Sequence, residues 1–381
     1  MARSKVVLLR TSPETVLADY GRAMRMAGWR DALPKEADVV IKINLSWTKY
    51  FPACSTQPWQ LEGAVKTMIE DGLSPDRIHP VENKTVVTDP WEGAWNNKWL
   101  PILDRYGLKF TALPEVEWVR HRFESPLLKL NDIFPQGITI PKMFMGRSVL
   151  HLPTVKTHGH SVTTGAIKNA FGGLLQEVRH YAHEFMHEVL VDLLYMQKEI
   201  HPGLFAVMDG TVAGDGAGPR TMIPRVMNVV LASSDQVAID AVAARLMGFD
   251  PLDIPYLRMS HERGLGVADL REVDIEGEEI AAVAQKFNTK KSFVIWGDQL
   301  IRKGPLRPLK RLLLHSPLMV WAPAASNLYH DGLWYPTVGQ KHIRDFDATP
   351  WGALWQSYPR GPRPEKHIYE NTVKWQSHSA H

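Results

Sequence analysis

The sequence predicts an α/β fold of mostly parallel sheets with flanking helices, two lobes around a cleft, and an irregular Trp-rich C-terminal extension. Three observations carry this prediction. Short β-branched runs alternate with helix-period runs through the first third of the chain, the pattern of βαβ units. The chain has 381 residues, more than the roughly 100–200 of one domain. Hydrophobic residues make up 44% and charged residues 22%, an ordinary globular balance that supports a large core without disulfide or metal staples. Residues 1–150 are read as an N-terminal lobe, 151–290 as a second lobe with the main motifs, and 291–381 as the extension wrapping the core.

Strand patterns fall at Lys5–Arg10, Asp38–Asn44 and Arg77–Asn83, with helical patterns at Thr15–Ala27, Leu61–Asp71 and Glu92–Tyr106. Ser55-Thr56 offers an N-cap for the second helix, and Gly72 ends it. Strands from Ile138 to Leu152 lead into a glycine- and histidine-rich segment, followed by helices near Thr164–Leu175 and His183–Glu199. Leu204–Met208 reads as an apolar strand stopping at Asp209-Gly210. Val226–Ala232 and Val273–Ile275 read as strands, and Gln236–Met247 and Pro255–Arg263 as helices.

Chemistry concentrates in Leu152–Gly173. The segment follows a strand, and open α/β sheets bind ligands at strand carboxyl ends. Lys156 and Lys168 bring positive charge, and His158 and His160 titrate near neutral pH. Thr163 and Thr164 precede a helix whose free amides favour an anion, with Asn169 one turn inside it. A second segment, Asp209–Pro219, places Gly214, Gly216 and Gly218 at alternate positions, which permits close approach of a ligand to the backbone. It fits neither the dinucleotide fingerprint nor a Walker loop. Asp209 at a strand end is expected to orient a base or help hold a divalent metal. Asp235 suits either a helix N-cap or a function, and Asp240 is an unexpected charge among alanines and valines.

His183-Glu-Phe-Met-His187 matches the His-Glu-x-x-His pattern of zinc peptidases, with His180 one turn earlier; the three histidines share roughly 60° of helical arc. Glu188 and the missing metzincin continuation argue against a peptidase. These histidines stay candidates for a metal site. In the first lobe, Lys42 and Asn44 end a buried strand, where a lysine must reach a carboxylate or an anionic ligand. Glu82-Asn83 ends the next strand on the same edge.

The single cysteine, Cys54, excludes an intramolecular disulfide and a cysteine-ligated iron–sulfur cluster within this chain. The first residues run straight into a strand without a signal-type apolar core, so a cytoplasmic location is expected. No run approaches the ~18 apolar residues of a spanning helix. A net charge of +3 and the lack of zinc-finger or RNA-recognition signatures argue against nucleic-acid binding.

In this order the motifs resemble the family catalogued as domain of unknown function 362. They stand here as Lys42-Ile-Asn44, Pro153-Thr-Val-Lys156-Thr-His158 and Gly165-Ala-Ile-Lys168-Asn169-Ala-Phe-Gly172. Asp209-Gly210 with Gly216-Ala-Gly218-Pro219 follows, and then Ser233-Ser-Asp235-Gln-Val-Ala-Ile-Asp240. Many such relatives carry a cysteine-rich ferredoxin module, which this chain lacks. The architecture is also similar, at the level of fold, to the lactate racemase superfamily. The resemblance implies no particular reaction.

The residues favour an enzyme acting on a small carboxylate or phosphate in an interlobe cleft, with isomerase- or oxidoreductase-like chemistry ahead of a peptidase. Lys156, Lys168 and the Thr163–Thr164 amides would hold the anion, His158 or His160 would move a proton, and Asp209 would orient it, with Lys42, Asn44, Asn169, Gly216 and Gly218 lining the site. The alternative is a binding or accessory protein. Five Lys/Arg and no acid in residues 301–326, followed by apolar residues, suit a peripheral membrane contact through residues 302–322.

Overall fold

A computed structural model describes residues 4–85, 88–176, 182, 184–289, 326–367 and 369. Twelve strands are described within it. They are β1 (Ser4–Arg10), β2 (Val39–Lys42), β3 (Ile78–Glu82), β4 (Thr111–Ala112), β5 (Trp118–His121) and β6 (Ile138–Pro141). There follow β7 (Ser148–His151), β8 (Thr154–His158), β9 (Val162–Thr163), β10 (Leu204–Ala217), β11 (Thr221–Ser233) and β12 (Val273–Gly277). The main sheet runs β12-β1-β11-β10-β7-β2-β3-β4, with β8 and β9 attached beside β10. Its pairs are parallel except β1–β11, β10–β11 and β8–β9. β5 and β6 form a separate hairpin.

The fold is therefore α/β, as the alternating pattern predicts. The segments expected to form two lobes share one continuous sheet. β1, the first strand of the chain, inserts between β11 and β12 near its far end. Strand periodicity encodes which face a residue occupies but not which strand lies alongside. Along β2 the two faces separate cleanly. Val39 and Ile41 join a core with Tyr20 and Trp59, whereas Val40 packs with Val149 and Phe171 on the other side. Helices Val16–Met26 and Pro58–Glu70 cover the first face, and Ala166–Leu174 and Met186–Ile200 the second. Each buried Val, Ile or Phe contributes about 1.5–3 kcal/mol.

Three local readings change. The helix expected over Glu92–Tyr106 is two helices, Pro90–Asn96 and Leu100–Arg105. Lys98 takes φ 61°, which ends the first, and Pro101 starts the second in the turn where a missing N–H costs nothing. Ser55-Thr56 caps no helix. The Thr56 hydroxyl instead accepts from the Asn44 amide and donates to the Leu152 carbonyl. The strand expected to stop at Asp209 continues through a bulge at Gly210–Val212 to Ala217, because β11 returns antiparallel and satisfies its backbone.

The described part of the extension is helical where the sequence shows no period: Leu328–Gly339 with wide turns, then Gln340–Asp347 and Pro350–Ser357. Its Trp351 and Trp355 insert into the core built on Tyr20 and Trp59. Among the described residues no helix is long and apolar enough to cross a membrane.

Candidate functional site

β7 and β8 lie end to end along the same edge of β10. β7 pairs with Leu204–Ala206, and β8 pairs Lys156 with Gly214 beyond the bulge. This register brings the two motif segments together. The Thr157 hydroxyl donates to the Gly216 carbonyl at 2.8 Å and accepts from the Gly216 amide at 2.9 Å. The Gly159 amide donates to the Gly218 carbonyl. All of this sits past the carboxyl ends of β2, β3 and β7, the usual ligand edge of a parallel sheet.

Lys156 is the centre of the arrangement. It is 1% exposed, and its ammonium donates to Asn44 Oδ1 at 2.6 Å, Ser46 Oγ at 3.0 Å and the Cys54 carbonyl at 2.5 Å. Burial pushes its pKa down to about 8, with a further lowering from nearby Lys42. From Asn44 a chain of donors and acceptors runs inward. Asn44 donates to Asn169 Oδ1. Asn169 donates to the Lys42 carbonyl at 2.8 Å and to His151 Nδ1 at 3.3 Å. His151 Nε2 meets Gln197 Oε1 at 2.6 Å. Each asparagine accepts through its oxygen and donates through its nitrogen, which only an amide side chain does in that position. Burial pushes His151 down to about 3, so it is neutral, with its proton on Nε2 facing Gln197.

One strand over, Lys42 Nζ lies 2.7 Å from Glu82 Oε1, both side chains almost wholly enclosed. Lys42 also donates to the Ile43 carbonyl, and Glu82 Oε1 accepts from the Asn83 amide. A Cβ at position 172 would stand 3.5 Å from Lys42 Nζ and 3.7 Å from Glu82 Oε1. The Ala166–Leu174 helix therefore lies directly on the pair, and a Cβ at 172 would meet it at ordinary contact distance.

The helix N-terminus expected to receive a substrate anion is already occupied. Asp240, from the Gln236–Leu246 helix, accepts from the Ala166 amide at 2.6 Å and the Ile167 amide at 3.2 Å. A Cβ at Gly165 would collide with its carboxylate. Burial pushes Asp240 up to about 8 although both backbone bonds pull it down. The Thr164 amide goes to the Lys156 carbonyl and the Thr163 amide to the Ser161 carbonyl. The Thr163 hydroxyl meets Tyr256 at 3.0 Å. These amides serve the fold, because β9 and the capped helix consume them.

Asp209 is also placed differently from the expectation. It is fully buried, accepts from the Tyr20 hydroxyl at 2.6 Å and the Thr211 hydroxyl at 3.2 Å, and is pushed up to about 6 by burial. Its register partner on β8 is Thr154, four residues before His158, about 13 Å of strand. The tertiary fold therefore separates Asp209 from the histidine it was expected to orient. His158 Nδ1 accepts from the His160 and Ser161 amides at 3.1 and 3.3 Å, which folds the loop back on the ring. Lys168 is half-buried, with its ammonium 5.4 Å from the Phe171 ring centre. His180 and His183 lie outside the described residues. His187 stacks on Tyr256 at 6.1 Å. Among the described residues no three His, Cys, Asp or Glu side chains gather as a metal site. Asp235 caps its helix through the Val237 and Ala238 amides and also accepts from Ser4 and the Val267 amide.

Three network members carried no sequence signal of their own. His151 and Gln197 read as ordinary strand and helix residues, and Ser46 as a loop serine. The Lys42-x-Asn44 spacing is the one clue that this edge faces Lys156.

A family model described as Domain of unknown function (DUF362) matches residues 39–245. The chain belongs to the DUF362 family. The match spans β2 to the Gln236–Leu246 helix and so includes every residue of the Lys156 network. This DUF362 chain is 28% identical over 180 residues to the "Thylakoid-associated protein sll1697" of Synechocystis, covering 45% of this chain and 52% of that protein. The chain thus spans about half the length of that relative. A Thermotoga maritima protein of known crystal structure is 12% identical, with a TM-score of 0.35 over 58% of this chain and 56% of its own. None of these matches bears on the similarity to the lactate racemase superfamily.

Proposed function

We propose that this DUF362 protein is an enzyme that binds a small carboxylate or phosphate at the carboxyl ends of β2, β7 and β8 and moves a proton through Lys156. The observation that carries the reading is a buried lysine brought down to about 8 and anchored by a continuous amide–imidazole chain. A group titrating near the working pH is suited to general acid–base chemistry, and such shifts cluster at active sites. Asn44 and Ser46 are half-buried, so the ammonium lies one side chain below the surface. An incoming substrate oxygen would replace the Ser46 hydroxyl, the longest of the three contacts. Asn44, oriented by Asn169, would keep the ammonium in place. Proton transfer at carbon, as in an isomerase, suits this arrangement better than peptide hydrolysis.

The test is a thermal-shift panel of small carboxylates and phosphate esters on the full chain, read at pH 7 and pH 9.5. Lys156 is charged below about 8 and loses its charge above it, so stabilisation by the active ligand is expected at pH 7 and lost at pH 9.5. Lys156→Met and Asn44→Ser should each weaken it by about tenfold or more. A panel in which every carboxylate and phosphate ester acts equally on wild type and both variants would overturn the proposal.

A second reading, an accessory protein at a membrane surface, draws on the thylakoid association in the relative's name and on the basic segment 302–322, which lies outside the described residues. Flotation with vesicles containing anionic lipid should then carry the full chain upward at low salt and lose it on deletion of residues 302–322. Equal flotation of both proteins would remove this reading.

A further inference from the structure

A cavity of about 430 Å³ lies between the loops after β2 and the Pro90–Asn96 helix on one side and the C-terminal helices on the other. It falls within the ~300–1,000 Å³ range of small-molecule sites. Its charged groups are Lys49, Lys98, Arg360 and Asp347; Lys49 is paired with Asp331 at 3.9 Å, which leaves the two cations Lys98 and Arg360 against the Asp347 carboxylate. Lys98 is 7% exposed, and its ammonium has one described acceptor, the Trp355 carbonyl at 2.7 Å, for three N–H donors. No carboxylate of the described residues lies within ion-pair distance of Lys98 or Arg360. Arg360 instead rests over the Trp95 ring at 5.0 Å.

The walls are firmly set. Tyr50 stacks on Trp355 with ring centres 3.5 Å apart, and Tyr335 donates to the Tyr50 carbonyl at 2.9 Å. The Tyr50 hydroxyl is buried without a hydrogen-bond partner among the described residues. A largely buried ammonium with donors to spare is costly unless something supplies acceptors.

We propose that this cavity binds a small phosphate monoester. A phosphate oxygen supplies the acceptors that the Lys98 and Arg360 donors lack, and its negative charge meets the positive excess that these two cations hold over Asp347. The volume leaves room for a small organic part beside the phosphate. The helical extension supplies Asp347, Trp355 and Arg360 and thereby completes a second site, lined by none of the Lys156 network. Lys98 helps build it because the helix break at its positive-φ backbone turns it out of the Pro90–Asn96 helix.

The test is calorimetric titration of the full chain with inorganic phosphate and with glycerol phosphate, at fixed ionic strength set with chloride. Saturable binding is expected, weakened about tenfold by Arg360→Gln, whose side chain is exposed, and likewise by Lys98→Gln. Asn44→Ser should leave it unchanged, which separates this site from the one beside Lys156. Phosphate binding lost in Asn44→Ser but kept in Arg360→Gln would overturn this proposal while supporting the other. No saturable binding, or tighter binding of succinate than of phosphate, would overturn it outright.

Discussion

Lys42→Met is expected to destabilise the protein by about 4 kcal/mol, because it removes the cation facing the buried Glu82 carboxylate. The Lys42 and Glu82 side chains are 2% and 3% exposed and 2.7 Å apart. The attraction of such a pair largely offsets the cost of removing both charges from water, so the intact pair is close to neutral in net terms. Removing the lysine takes away that attraction while the desolvation of Glu82 remains. Lys42→Met combined with Glu82→Leu should therefore recover most of the loss, since Gly172 and Gly173 already pack against the lysine stem. Urea denaturation checks both: the midpoint falls sharply for the single variant and returns in the double, at an unchanged slope. A double variant as unstable as Lys42→Met would show that the pair acts through its other hydrogen bonds.

Asp240→Ala is expected to cost a similar amount, about 4 kcal/mol. It leaves two enclosed amides, Ala166 and Ile167, unsatisfied at about 1–3 kcal/mol each. Asp240→Asn should lose about half as much. With the acid pushed up to about 8, the amide mimics its neutral form and keeps one acceptor. Thermal unfolding separates the two, at roughly 2–4 °C per kcal/mol for a large domain. Hydrogen exchange should localise the Asp240→Ala loss to the Ala166–Leu174 helix. Equal melting of Asp240→Ala and wild type would mean that the helix start finds other acceptors.

Both expectations concern residues the sequence marked as odd. Lys42 inside a β-branched run and Asp240 among alanines stand out because buried charge is costly without a partner. The partners came from elsewhere in the chain, Glu82 from 40 residues on and the Ala166 amide from 74 residues back. Local patterning has no term for such separations. The same blindness made Asp209 look like a site residue. A carboxylate at a strand end reads as functional, yet Tyr20 from the first helix claims it. It also hid His151 and Gln197, which look unremarkable until the Asn169 side chain reaches them.

Residue order alone was enough to establish the α/β class, the family and the segments that meet at the sheet edge. These depend on period, glycine placement and short spacing, all of which act within a few residues along the backbone. Pairing was decided only in three dimensions: one sheet in place of two lobes, Asp240 instead of a substrate at the helix start, Lys156 joined to Asn44, and a pocket partly lined by the C-terminal helices. The reason is physical. A buried charge or amide requires a partner, but the energy of that requirement is indifferent to where in the chain the partner lies. Which residue supplies it depends on how the strands and helices pack.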